Sequence, residues 1–268
     1  MIILFFFGKT VPPAKSGQKP AETASVHEKF DFNTILTGEK GKLTPDRQAY
    51  VHSLENSVVR GDVKNQQLHA YHQLASFWKD TVKSLYPYIF YSAEASKLEN
   101  SEKSLTFAAQ LFLDNLRREA DPAVKGWMAG EARALFERSL QINPSNDSAK
   151  IGLGSSYIFG SGADDPQDIM KGIQQILEVV RRDSTNMYGQ LMLGIGGVLS
   201  GQTDKAIERL LKVTEAQPKN LEAVLALAEA YEREGKKENA IKWYSYGKQF
   251  IGNPEIIKEI DQRIESLR

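Results

Sequence analysis

The sequence predicts an all-α chain assembled from stacked helix pairs, and three observations carry that expectation. From Thr44 onward, apolar residues recur at helical spacing in one segment after another. No alternating apolar-polar run bounded by hairpin turns competes with them. The C-terminal third also matches itself when slid by about 34 residues, the signature of a repeat array.

Composition narrows the function classes. The 268 residues hold 34 basic and 34 acidic side chains, so no net field favours nucleic acid or an anionic membrane surface. Cysteine is absent, which removes disulfides, thiol catalysis and thiolate metal sites without choosing a redox compartment. No stretch reaches the roughly 18–20 apolar residues of a transmembrane helix.

Taken in order, the chain opens on the apolar run Met1–Phe7, "MIILFFF". As a helix it would cover only about 10 Å of a ~30 Å hydrocarbon core. Its expected role is the exit end of an N-terminal membrane anchor. Lys9 would snorkel and Pro12-Pro13 would end the helix, with further apolar residues encoded upstream of Met1. The competing reading is a short apolar tail. Residues 8–43, with Pro12, Pro13, Pro20, Gly8, Gly17, Gly38 and Gly41, read as a flexible spacer. A coil of that length reaches about 30–35 Å. Phe30, Phe32, Ile35 and Leu36 are apolar enough to dock locally, but no helix is expected there.

Helices begin at "TPDRQ", where Thr44 caps, Pro45 takes the first helical position and Asp46 lies in the first turn. Val51, Leu54 and Val58 follow at helical spacing until Gly61. Leu68, Tyr71, Ala75, Trp78, Val82 and Leu85 then form one apolar stripe, which Pro87 interrupts. Another helix is expected over about 88–99. Ser101 caps the next, carrying Leu105, Ala108, Ala109, Phe112 and Leu116. After Asp121-Pro122 a long helix runs to about Ile142. These helices of 44–121 are expected to be degenerate relatives of the units that follow.

In the self-match, Leu193-Gly194 falls on Leu227-Ala228, Gly201 on Gly235, Asp204 on Glu238, Ala206 on Ala240 and Leu210 on Tyr244. These residues resemble the tetratricopeptide repeat, a helix-turn-helix unit of about 34 residues. Its first helix pairs a large residue with a small one and places an aromatic three later. A turn Gly follows, and the second helix carries Ala, an aromatic and a small residue before Pro. The last full unit supplies Leu227, Ala228, Tyr231, Gly235, Ala240, Tyr244 and Gly247. The unit before it supplies Leu193, Gly194, Gly201, Ala206, Leu210, Val213 and Pro218. There Gly197 replaces the aromatic, which predicts a shallow gap. A third unit reads Leu153, Gly154, Tyr157, Gly172, Ile176 and Val179, with an insertion in "FGSGADDPQ" at its turn. A fourth keeps Ala132, Phe136, Ser139 and Pro144 in its second helix. The resemblance covers residues 122–252 and implies a right-handed superhelical array. Residues 253–268, with Ile256, Ile257, Ile260, Ile264 and Leu267 on one side, read as a capping helix.

Catalytic chemistry finds little support. "GLGSS" at 152–156 and "GIGG" at 194–197 lack the preceding strand and the Gly-Lys-Ser/Thr of a phosphate loop, and sit at the repeat's small-residue position. His69 and His72 lie three apart on a helix, half of a metal site, yet no third ligand has matching spacing. A solvated helix flank explains them better. Asp164-Asp165 read as a helix cap before Pro166. The expectation is therefore a non-enzyme without catalytic residues, metal or cofactor, and without nucleic-acid partners.

The resemblance implies instead a concave groove that holds an extended peptide or a partner helix. Here it would be lined by Ser148, Ile151, Ser155 and Ile158, then Leu191, Ile195 and Val198, then Leu225, Glu229 and Glu232. The Lys and Asn with which one subgroup grips C-terminal carboxylates are replaced by Ile, Ser and Leu. An apolar helix face bearing Lys or Arg is the expected partner. Two alternatives stand beside this adaptor. The array's own N-terminal helices could fill the groove, or the chain could be a soluble scaffold that forms homo-oligomers. The overall layout is similar to bacterial membrane-anchored repeat proteins, implying a membrane-associated envelope location, with the cytoplasm as the alternative.

Overall fold

The computed structural model describes residues 30–60, 63–160 and 166–268. The expectations for Met1–Phe7, most of the spacer and Asp164-Asp165 lie outside the described residues. Among the described residues there are thirteen α-helices and no strand. They are α1 (Phe32–Gly41), α2 (Pro45–Arg60), α3 (Lys64–Ser76), α4 (Leu85–Glu99), α5 (Glu102–Leu116), α6 (Pro122–Ile142), α7 (Asp147–Gly160), α8 (Pro166–Arg182), α9 (Met187–Leu199), α10 (Thr203–Ala216), α11 (Leu221–Arg233), α12 (Lys237–Lys248) and α13 (Pro254–Leu267).

Four helix pairs, α5–α6, α7–α8, α9–α10 and α11–α12, pack most closely, and each also touches the next. Their first helices start the same way. Ser101, Asn146, Asn186 and Asn220 accept hydrogen bonds from the amides of Ser104, Ala149, Gly189 and Ala223, at 2.9–3.1 Å. A side-chain oxygen here satisfies an amide that the first turn leaves without a partner. Gly201 (φ 77°) and Gly235 (φ 70°) close the turns inside the last two pairs. Both need the left-handed conformation that glycine adopts without penalty.

The small residue of each first helix lets its partner approach. A Cβ on Gly154 would lie 2.6 Å from both Gly172 O and Ile176 Cγ1, and one on Gly194 would meet Leu210 at 2.7 Å. Phe136, fully buried, covers Gly152. The shallow gap expected at Gly197 is absent. A Cβ there would meet Ala206 Cβ at 3.1 Å and Gln202 O at 3.3 Å, because α10 has closed in on the missing side chain.

Three expectations for the N-terminal part need correction. Residues 32–41, read as spacer, form α1. Asp31 caps it by accepting from Asn33 N at 3.0 Å, and buried Phe32 stacks on Phe90 and Trp127, each with ring centroids 4.5 Å away. The stripe from Leu68 to Leu85 is not one helix. After α3 the backbone widens into a π-helical turn, Phe77–Val82, which ends at Lys83 in the left-handed region (φ 61°). The next helix starts at Leu85 rather than 88, since Pro87 sits in its first turn, where a proline has no amide to waste.

The cores follow this division. A long cluster runs from Ile89 through α5–α10 to Ala230. A second gathers Phe32, Leu36, Leu43, Val51, Leu54, Leu74, Trp78 and Tyr91 around the N-terminal helices. A third seats Ile260, Ile264 and Leu267 of α13 on Leu225, Ala228, Ala240 and Tyr244.

Candidate partner-binding face

The shared N-caps place the first helices in one register, and that register defines an inner face. Two residues after the caps come Lys103, Ser148, Tyr188 and Glu222. Five after them come Thr106, Ile151, Leu191 and Leu225. Nine after stand Gln110, Ser155, Ile195 and Glu229, and twelve after stand Leu113, Ile158, Val198 and Glu232. The groove residues read from sequence therefore share a row geometry. The α5 members, Thr106, Gln110 and Leu113, were missed, although Ser101 carried the same cap signal.

Most of the groove residues read from sequence are buried rather than lining an open channel. Ile151, Ser155, Ile158, Leu191, Ile195, Val198 and Leu225 each expose 4% or less of their surface, and Glu229 exposes 9%. Ser148 and Lys103 are exposed at the rim, while Glu232 is half-buried. Helix α9 is buried from Gly189 to Val198 on every side, as a mostly apolar helix can be, and its one buried side-chain amide, Gln190, bonds Ser184 O and Arg209. Its glycines permit this crowding: a Cβ on Gly189 would meet Val180 at 2.7 Å, and one on Gly196 would meet Ile158 at 3.1 Å.

Helix α5 supplies the polar contacts across the face. Gln110 Nε2 donates to Tyr188 Oη at 3.3 Å and to Asp114 at 2.7 Å. One turn beyond the row, the Arg117 guanidinium lies 4.9 Å from the Phe159 ring centroid and forms an ion pair with Glu222. Arg117 Nε and Ser155 Oγ are buried without a hydrogen-bond partner among the described residues.

The acidic end expected to attract a cationic partner is neutralised within the chain. Glu229 accepts from Arg233 Nε at 3.0 Å and Nη2 at 2.8 Å. Glu232 accepts from Tyr244 Oη at 3.0 Å and from Arg263 Nε at 2.9 Å. Burial pushes the Glu229 carboxyl above its ordinary range, and Arg233 only partly opposes this. Burial likewise raises the Tyr244 phenol, helped by Glu232. Because the folded pKa of Glu229 lies above its unfolded value of about 4.3, its contribution to stability is complete below that pH. It is lost as pH rises through the folded value. Glu229→Gln should therefore gain on the wild type in urea titrations as pH rises above about 4.3. A variant that loses ground as pH rises would mean that the Arg233 pair outweighs burial.

Outside this face the sequence candidates stay scattered. His69 and His72 are exposed and border a surface cavity of about 750 Å³ with Asp46, Tyr50, Phe77 and Asp80. No group of three His, Cys, Asp or Glu capable of holding a metal occurs among the described residues. Tyr157, the repeat's aromatic, receives Lys171 Nζ at 2.7 Å on its hydroxyl, and Arg133 lies over its ring. Tyr231 is half-buried beside the C-terminal cluster.

Comparison with known proteins agrees with the repeat geometry. Residues 198–254, from the end of α9 to the first residue of α13, match the sequence model of the tetratricopeptide repeat. Among solved structures, the chain is similar to YrrB, described as a TPR protein with an unusual peptide-binding site. That match has 14% identity and a TM-score of 0.46, covering 79% of this chain and 99% of that one. It is also similar to a MamA structure (17% identity, TM-score 0.46, 68% and 91% coverage) and to MamA 41-end from Desulfovibrio magneticus RS-1 (16%, 0.48, 68% and 94%). No curated protein matches the chain. With the matched segment, the capped helix pairs and the turn glycines Gly201 and Gly235 in place, residues 198–254 carry tetratricopeptide repeats, within a chain whose described residues form an all-α array of stacked helix pairs.

Proposed function

We propose that this protein is a non-enzymatic interaction scaffold that receives a partner peptide or helix on the inner face of its repeats. In the free chain the side chains of that face are buried, and α5 reaches across it through Gln110 and Arg117. The observation that carries this reading is the common register of the inner rows on α5, α7, α9 and α11. It aligns the apolar side chains Ile151, Leu191 and Leu225 along one surface. The reading departs from a cation-bearing partner, because Glu229 and Glu232 already have arginine partners.

A photoreactive amino acid at Ser148, exposed on the rim of the inner face, tests this against one at Met170, exposed on second helix α8. Crosslinks formed in cells from position 148 and not from 170 would support the inner face. The reverse pattern would remove it.

The apolar run Met1–Phe7 supports a tethered form of the same scaffold. No helix among the described residues is long and apolar enough to cross a membrane. Fractionation separates the possibilities: a detergent requirement supports a tether, and clean partition into the soluble fraction removes it.

A further inference from the structure

The geometry points to a latch: the Arg117–Glu222 ion pair, from α5 to α11, holds the inner face shut, and its release opens the face without unfolding the array. This inference rests on the inner-face reading above and adds how access to that face is controlled.

In a stacked array each unit needs contact only with its neighbours. The successive contacts α5–α7, α7–α9 and α9–α11 meet that need. Arg117 goes further and pairs with Glu222, at the start of the first helix three units along. Gln110 reaches two units along, to Tyr188. These long-range contacts are polar, whereas the neighbour contacts combine a continuous apolar core with their own polar bonds, such as Asn146 to Glu102 and Arg133 to Asp168, that do not involve Arg117 or Gln110. Breaking the ion pair therefore removes a closure and leaves the stacking of neighbours untouched.

The closed arrangement is also imperfectly satisfied. Arg117 Nε and Ser155 Oγ, both buried, lack partners among the described residues. A buried polar group without a partner weakens the state that buries it. Opening would hydrate both groups, which brings the two states closer in free energy. The Arg117 guanidinium over the Phe159 ring supplies the remaining closure.

The absence of cysteine allows a direct test. Ser155→Cys places a thiol on the inner face, and Ser156→Cys, also fully buried, places one on the next residue of α7, outside the inner rows. Thiol-labelling rates report how often each site opens. In the Ser155→Cys background, Glu222→Ala should speed labelling roughly tenfold, the loss expected for a charged hydrogen bond. The Ser156→Cys rate should stay unchanged. The exchanged pair Arg117→Glu with Glu222→Arg should restore slow labelling at position 155, with helical content by circular dichroism confirming that each variant folds. Unchanged labelling at 155 in folded Glu222→Ala would overturn the latch. So would equal acceleration at both positions, which marks general unfolding. Labelling needs no partner, so its failure would leave the crosslinking result standing, and a crosslinking failure would leave the latch standing.

Discussion

Gly154→Ala should destabilise the protein by about 3 kcal/mol, although alanine is the better helix former. The added methyl would stand 2.6 Å from the carbonyl oxygen of Gly172 and 2.6 Å from Ile176 Cγ1. Neither neighbour can yield cheaply. One is helix backbone, and the other is a branched side chain that is itself fully buried. Relief requires α7 and α8 to separate, which would loosen the apolar contacts between them. Gly130→Ala makes the matching control, since it is exposed in the middle of α6 and has nothing within 4 Å of a new Cβ. There only the propensity difference remains, and the variant should gain about 0.5–1 kcal/mol. Urea unfolding midpoints for the two variants should move in opposite directions. A Gly154→Ala protein at least as stable as the wild type would show that the helices do not approach as closely as these distances state.

What the sequence made legible was the information written locally. Ser101, the proline at position 122 and the 34-residue self-match marked helix starts and the repeat. Gly201 and Gly235 marked turns, and both have the positive φ that explains them. The small residue at Gly154 and Gly194 implied close approach, which the distances to α8 and α10 bear out. Failures came where a distant partner decided the outcome. Helix α1 exists because Phe32 finds Phe90 and Trp127, which lie far along the chain. The π-helical turn at Phe77–Val82 depends on Trp78 entering the N-terminal core, although the apolar stripe alone suggested an uninterrupted helix. For the candidate site, the rows on α7, α9 and α11 followed from counting. Their burial did not, because it depends on how closely the successive first helices pack on one another. The mostly apolar composition of α9 was the available hint, since a helix with apolar residues on every side offers little face for water. The pairing of Glu229 and Glu232 with Arg233 and Arg263 was split between a local and a distant cause. Arg233 lies one turn from Glu229, whereas Arg263 arrives from α13.

That arrival gives α13 an energetic role larger than its position at the chain's end suggests. Ile260 is fully buried, and Ile264 and Leu267 nearly so, against Leu225, Ala228, Ala240 and Tyr244. Its start is fixed by Asn253, which accepts from Glu255 N at 2.9 Å, with Pro254 at the first helical position. Ile260→Ala should cost about 2–5 kcal/mol, the range for truncating a buried aliphatic side chain. Deleting residues 254–268 should do more, because it uncovers the apolar side of α11–α12 and strips Arg263 from Glu232 at once. In an array held by neighbour contacts, the damage should stay near the open end. Hydrogen exchange should accelerate in α11 and α12 of the truncated chain, while α6 and α7 keep their protection. Uniform loss of protection from α5 to α12 would instead reveal a single cooperative block. That outcome would place much of the cooperativity in long-range contacts such as Arg117–Glu222, since the stacking of α5–α10 does not involve α13.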